Sequence, residues 1–210
     1  MAINKVIFCD RTLIDISDST VAPETLAKDE IAYGANGEKI IGTMEASSGG
    51  DENAIKTVIE SGKELTELTI PKSVTRIGRC MFYQYSDLKS IFLPEGIKTI
   101  GIEAFTNCSK LALTSLPDGI TSIGNSAFSN CSKLALTSLP ANLKTINIWA
   151  FKECIGLTAI TFKGVPTNVS SSAFIGCTNL TTINVPWSEG AVANAPWGAI
   201  NATINYNYTG

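Results

Sequence analysis

Apolar residues recur along most of this chain at one fixed interval. Phe82, Phe105, Phe128, Phe151 and Phe174 stand 23 residues apart. Tyr85, Cys108, Cys131, Cys154 and Cys177 keep the same interval three residues later. So do Leu65, Leu88, Leu111, Leu134, Leu157 and Leu180, and the series Ile70, Leu93, Leu116, Leu139, Phe162 and Val185. A fifth column runs through Ile77, Ile100, Ile123, Ile146 and Val169. Pro71, Pro94, Pro117, Pro140 and Pro186 punctuate the units, with Lys163 as the exception in that phase. The string NCSKLALTSLP occurs unchanged at 107–117 and 130–140.

A fixed period of this length predicts a solenoid. One unit is too small to bury its own apolar face, and stacking turns each column into a continuous core. Within a unit, Leu-x-x-x-x-Leu-Pro, as in Leu111–Pro117, predicts a short strand ended by proline. Ile123–Cys131 carries apolar residues at spacings of three and four, which predicts a helical turn. Gly78, Gly101 and Gly124 fall between the two halves, where the chain is expected to bend. The expected class is therefore α+β: a solenoid of about five 23-residue units over 65–186, each a strand plus a helical turn. At ~4.8 Å per strand the stack is roughly 25 Å long.

The phenylalanine and cysteine columns are assigned to the structural core: Phe82, Phe105, Phe128, Phe151 and Phe174 with Cys108, Cys131, Cys154 and Cys177. Cysteine fills a small buried slot well, and a stacked column of it requires no metal and no redox role. Cys9 and Cys80 stand outside the column and receive no role.

Solenoid ends need covers. Residues 47–64 are expected to be linker and N-terminal cap, with Ile55, Val58 and Ile59 at helical spacing and Gly62 as the stop. Residues 187–210 are the expected C-terminal cap. Trp187 and Trp197 are placed over the last coil, with a ligand platform as the alternative. Tyr206 and Tyr208 alternate with polar residues in a predicted strand, open to a binding partner or a second chain.

Residues 1–46 lack the repeat. NKVIF and TLIDI predict strands around Asp10-Arg11. Pro23 and Glu24 open a helical turn ending near Lys28. AYGANGEKIIGTM predicts a hairpin turning at Asn36-Gly37, and ASSGG is a linker. So small a β-rich module is expected to fold by oligomerising or by docking on something larger.

Charge and composition narrow the function classes. The chain has 210 residues, 44% hydrophobic and 17% charged, with a formal net charge of -3. That balance predicts a globular protein without a nucleic-acid-binding patch. It contains no histidine, which removes Ser-His-Asp and Cys-His catalysis and the commonest zinc ligand sets. No apolar run approaches the length of a membrane span, so no membrane insertion is expected. The opening MAINKVIFCDRTLIDISD does not follow the pattern of a secretory signal, so neither export by a signal peptide nor a disulfide framework is expected. No phosphate loop, dinucleotide fingerprint or calcium loop occurs. Asp15 and Asp18 stand too far from other polar chemistry to form a carboxylate site. The expectation is a non-enzymatic protein with no cofactor and no metal.

The unit Leu-x-x-Ile-x-Leu-Pro-x-x-Val-x-x-Ile-Gly-x-x-Ala-Phe-x-x-Cys resembles the BspA-type leucine-rich repeat over residues 65–186. Departures are Met81 and Tyr85 in the first unit, Asn147 and Ser170 in place of glycine, and the displaced proline of Lys163-Gly164-Val165-Pro166. Separately, KVIFCDRTLIDISDSTVAPETLAKDEIAYGANGEKIIGTM, over 1–44, resembles N-terminal modules of structural proteins from bacteriophages and prophages of Gram-positive hosts. VPWSEGAVANAPWGA resembles the ends of repeat proteins from such phages. These resemblances imply a virion protein anchored to phage capsid or tail proteins through residues 1–46 and displaying the solenoid. It would stabilise or decorate the particle, or contact a host cell-surface glycan or protein. Capsid decoration is slightly favoured over a tail-fibre or baseplate appendage, because no heptads predict a shaft. Its oligomeric state would follow the site: a homotrimer on a fibre, a monomer at a symmetry axis. A bacterial surface adhesin is the alternative.

Overall fold

The computed structural model describes residues 66–70, 72 and 74–210, together with the backbone of four strands between residues 3 and 41. The chain divides into two compact units, Met1–Leu65 and Thr66–Gly210. In the first, β1 (Ile3–Phe8), β2 (Arg11–Asp15), β3 (Ile31–Gly34) and β4 (Lys39–Ile41) form an antiparallel sheet in the order β2-β1-β3-β4. Val6 pairs with Ile14 on one side and Ala32 on the other. The helical turn expected at 23–28, the Asn36-Gly37 turn and the linker and cap at 47–64 lie outside the described residues.

The second unit is a parallel β-solenoid of about six turns. Its strands are β5 (Glu67–Thr69), β6 (Arg76–Ile77), β7 (Ser90–Phe92), β8 (Thr99–Ile100), β9 (Ser122–Ile123), β10 (Ser138–Leu139), β11 (Thr145–Ile146), β12 (Ala159–Phe162), β13 (Asn168–Val169), β14 (Thr182–Asn184) and β15 (Thr203–Asn205). One face is the sheet β6-β8-β9-β11-β13, in strict 23-residue register: Arg76 opposite Thr99, Thr99 opposite Ser122, Ser122 opposite Thr145, Thr145 opposite Asn168. The second run of strands pairs β5 with β7, and β10 with β12, β14 and β15. Its last step shortens, with Thr182 opposite Thr203.

The α+β expectation is overturned, since no helix occurs among the described residues. The spacing of three and four that predicts a helical turn at Ile123–Cys131 is met instead by successive tight turns. Ala127 N–H donates to Gly124 O at 3.3 Å, Ser129 N–H to Ser126 O at 3.0 Å and Cys131 N–H to Phe128 O at 3.2 Å. The alternate amides leave the coil: Ser126 donates to Ile148 O, Phe128 to Ala150 O and Asn130 to Lys152 O, at 2.8–2.9 Å. Ser126 and Asn130 have φ of 54° and 60°, as do their counterparts Glu103 and Asn107 at 56° and 63°. A helix needs an unbroken run of negative φ and i→i−4 bonds within one segment. Here half of those donors bind the next coil, so the turn is a rung of the stack. Apolar spacing alone does not distinguish the two arrangements.

A second correction concerns Leu111–Pro117, where no strand forms. Neighbouring coils place Leu68, Ile91, Ile160 and Ile183 in one buried column. The duplicated string puts Thr114 and Thr137 there, and both are exposed. Leu136 turns inward instead. The coils stay bonded, through Ala112 N–H to Lys89 O and Ala135 N–H to Leu113 O, but the ladder is interrupted.

The glycine column has a different cause from the expected bend. Gly78, Gly101 and Gly124 are absent from the positive-φ residues. A Cβ on Gly124 would lie 2.7 Å from the backbone of Gly101 and Ile102, and one on Gly101 2.7 Å from Gly78. Close approach of coil to coil, not conformational freedom, demands glycine. Gly124→Ala is expected to cost about 1–3 kcal/mol, the usual range for overpacking, in a urea titration. An unchanged midpoint would show that the coils separate freely at this point.

Candidate functional site

The stacked columns fix everything the outer faces present. Phe82, Phe105, Phe128, Phe151 and Phe174 form one file of parallel rings, with centroids 5.1–5.5 Å apart and interplanar angles of 1–16°. All five are fully buried. Tyr85, which stands in the cysteine phase of the first unit, meets Phe82 edge-on at 5.8 Å. The described ring stacking runs as far as Phe174. Phe174 N–H donates to Trp197 O at 2.9 Å, where each earlier phenylalanine donates to an alanine carbonyl, as Phe151 does to Ala173 O. Trp197 therefore stands in the alanine place of the last coil, and its ring packs on Phe162 and Trp187 instead.

Each column cysteine has a specific partner. The thiols of Cys108, Cys131, Cys154 and Cys177 donate to the carbonyls of Phe82, Phe105, Phe128 and Phe151, each at 3.0 Å. Those same carbonyls take the N–H three residues on, as Phe105 O does from Cys108. A small side chain with a donor suits this slot, and the thiol supplies a weak one. The four are free thiols. Burial pushes the Cys131 and Cys154 thiols well up, with the neighbouring cysteines adding to it, and pushes Cys177 up to about 12. Cys131, Cys154 and Cys177 are therefore held as unreactive thiols at neutral pH. Peptide mapping after iodoacetamide treatment at pH 7.5 is expected to find the four column cysteines unmodified in native protein and alkylated in urea; native labelling would contradict the stacked core.

The same shift fixes a pH dependence. The folded state holds these protons longer than the unfolded chain, so it binds more protons at alkaline pH and stability falls as pH rises. The loss is expected to begin near the ordinary thiol value of 9.0 and to continue toward about 12. Thermal melts from pH 7 to 10 check it, and stability rising over that range would contradict it.

The C-terminal end is closed by aromatic contacts. Phe162 lies 5.3 Å from Trp187 and 5.4 Å from Trp197, and the two tryptophans are 6.4 Å apart. The Trp197 indole donates to Ala193 O at 2.7 Å. Trp187 is 6% exposed and Trp197 is fully buried, so neither ring is open to a ligand. The strand expected to carry Tyr206 and Tyr208 ends earlier, at Asn205. Asn207 has φ of 55° and turns the chain back, its N–H bonding Trp187 O and that of Tyr208 bonding Val185 O. Tyr206 is half-buried and Tyr208 exposed.

The outer surface carries isolated apolar groups that the repeat pattern does not announce. Trp149 occupies a turn position held elsewhere by Glu103 and Ser126, is 47% exposed, and lies beneath the Lys152 ammonium at 5.5 Å. Exposed ion pairs join adjacent coils, as at Lys110–Asp87, 2.7 Å. The hydrogen bond and charge of Lys110 hold the Asp87 carboxyl below its ordinary range. Both groups are open to solvent, where such pairs contribute little. Lys110→Ala is expected to leave the urea midpoint within experimental error, and a clear drop would assign the pair a structural role. Among the described residues, no group of three potential metal ligands comes together.

A family model for the BspA type leucine rich repeat region matches residues 55–181 in six copies. The chain belongs to the BspA-type leucine-rich repeat family. The match spans more than half of its length and counts one unit more than the five expected. Solved leucine rich repeat structures share this fold. The T. pallidum leucine rich repeat protein is 23% identical, with a TM-score of 0.57, covering 70% of this chain and 71% of that one. A leucine rich cell surface protein from Faecalibacterium prausnitzii is 25% identical, also with a TM-score of 0.57. That match covers 86% of this chain but only 41% of the Faecalibacterium protein. No curated protein sequence matches the chain. These comparisons establish the repeat family and carry no support for a virion module in residues 1–46.

Proposed function

We propose that the protein is a non-enzymatic display protein whose solenoid recognises a cell surface by contact along its faces. The observation that carries this reading is the in-register stacking of about six coils, which holds surface side chains in fixed rows while the distinctive residue types serve the core. The likeness to a cell surface protein of F. prausnitzii supports it. A rigid face suits binding, because its side chains lose little freedom on contact.

The carrier is a finer proposal. The resemblance of residues 1–44 to phage structural modules favours attachment to a virion through residues 1–46, with capsid decoration ahead of a tail position. A bacterial surface adhesin is the second reading, and the F. prausnitzii likeness favours it. Immunogold electron microscopy of the producing culture, with antibody raised to the whole protein, separates them. Label on phage heads or tails is the expected result. Label on cell envelopes alone would transfer the protein to the adhesin reading. Label confined to the cell interior would overturn display altogether.

A further inference from the structure

The two sheet faces differ in charge. The face built on β6, β8, β9, β11 and β13 carries Arg76 and is flanked by Lys98 and Lys144. The strands β12, β14 and β15 themselves carry none, and Lys163, just after β12, is paired with Asp118 at 3.1 Å. Residues 155–162, 178–186 and 200–210 contain no charged side chain. Its outward positions form two columns: Ala159, Thr182 and Thr203 in one, Thr161, Asn184 and Asn205 in the other. In the second column Asn184 Nδ2 donates to Thr161 Oγ1 at 3.1 Å, and Asn205 Nδ2 donates to Asn184 Oδ1 at 2.8 Å.

We infer that this face binds a neutral polysaccharide along its columns. The inference rests on the display reading above and names its ligand class. Each amide in the column retains a second N–H and a second lone pair, and the bonds along the column fix its orientation before any ligand arrives. Donors and acceptors therefore repeat at the ~4.8 Å interval of the strands, an interval comparable with the length of a pyranose ring. A chain of uncharged sugars offers hydroxyls that both donate and accept at a similar repeat. Tyr208, 41% exposed just beyond β15, adds a ring on which a sugar can rest. A polyanion would meet only Lys163 beside these columns, and Asp118 already holds that ammonium at 3.1 Å. A protein partner would call for an apolar, aromatic centre, which these columns lack.

Affinity gel electrophoresis of the full chain tests this against laminarin, mannan and dextran, with heparin as the charged comparison. At least one neutral polysaccharide is expected to retard the protein, with little change on adding salt. Asn184→Ala is expected to weaken the retardation about tenfold, the scale of one or two lost hydrogen bonds. Thr203→Lys, which puts a charge on the strip, is expected to abolish it, while Lys144→Gln on the other face leaves it unchanged. Melting curves confirm that each variant is folded. No retardation by any of the three, retardation by heparin alone, or retardation undiminished by both folded variants would overturn the inference. Cell binding that persists without polysaccharide retardation would remove this face as the contact and leave the display reading standing.

Discussion

Phe128→Ala is expected to lower the free energy of unfolding by about 3–5 kcal/mol, the range for deleting a buried aromatic ring. Phe128 is fully buried and stacks on Phe105 at 5.2 Å and on Phe151 at 5.5 Å. Its removal leaves a hole with a ring on either side. Collapse is resisted because the Phe128 backbone is tied to the next coil: its N–H is given to Ala150 O, and its carbonyl receives the Cys154 thiol together with Cys131 N–H of its own coil. In a one-dimensional stack, stability is close to a sum of unit and interface terms. A central defect therefore weakens two interfaces at once. A urea titration followed by circular dichroism measures the loss. A value below about 1 kcal/mol, the range of ordinary surface substitutions, would contradict the buried file.

Trp197→Ala is expected to remove a comparable amount of contact but to act differently. Trp197 is fully buried against Phe162 and Trp187, yet it belongs to the last coil. Its loss leaves the Ala193 carbonyl without the indole donor and uncovers Phe162 and Trp187. The expected result is fraying of β15 and the segment after it, with the central coils still folded. Hydrogen exchange read by mass spectrometry resolves this. Protection should fall in 187–210 and persist in 99–151, because terminal units open at lower cost than the global transition. Uniform loss of protection would mean that the end holds the whole stack together; unchanged protection would mean that the aromatic closure is dispensable.

Periodicity made the solenoid and its buried columns legible, since a column must repeat at the coil length. Local geometry was not legible. Ala127, Phe128 and Cys131 satisfy the spacing of a helical turn and of a turn-and-rung arrangement equally. The difference lies in the partners of Ser126, Phe128 and Asn130 N–H, which are in another coil. The same limit applies to Leu111–Pro117: the leucine spacing survives, and the identical string at 134–140 forms β10 while 111–117 forms no strand, so these residues alone do not decide it. Trp197 lies 23 residues after Phe174, yet its carbonyl takes the alanine place of the last coil and its ring packs on Phe162 and Trp187, so phase alone misplaces it. The uncharged columns on β12, β14 and β15 were hidden because outward side chains follow no strict repeat. Thr161 gives way to Asn184 and Asn205, and the chemistry is shared where the residue name is not.

The central claim is recognition by a rigid surface without chemistry. Its most direct test is binding of the fluorescently labelled full chain to cells from the producing culture, measured by flow cytometry over a range of protein concentrations. The account predicts saturable binding, competed by unlabelled protein, with the chain and the cell-surface material both unchanged in mass afterwards. Absence of saturable binding, or release of cleaved surface material by the protein, would contradict it.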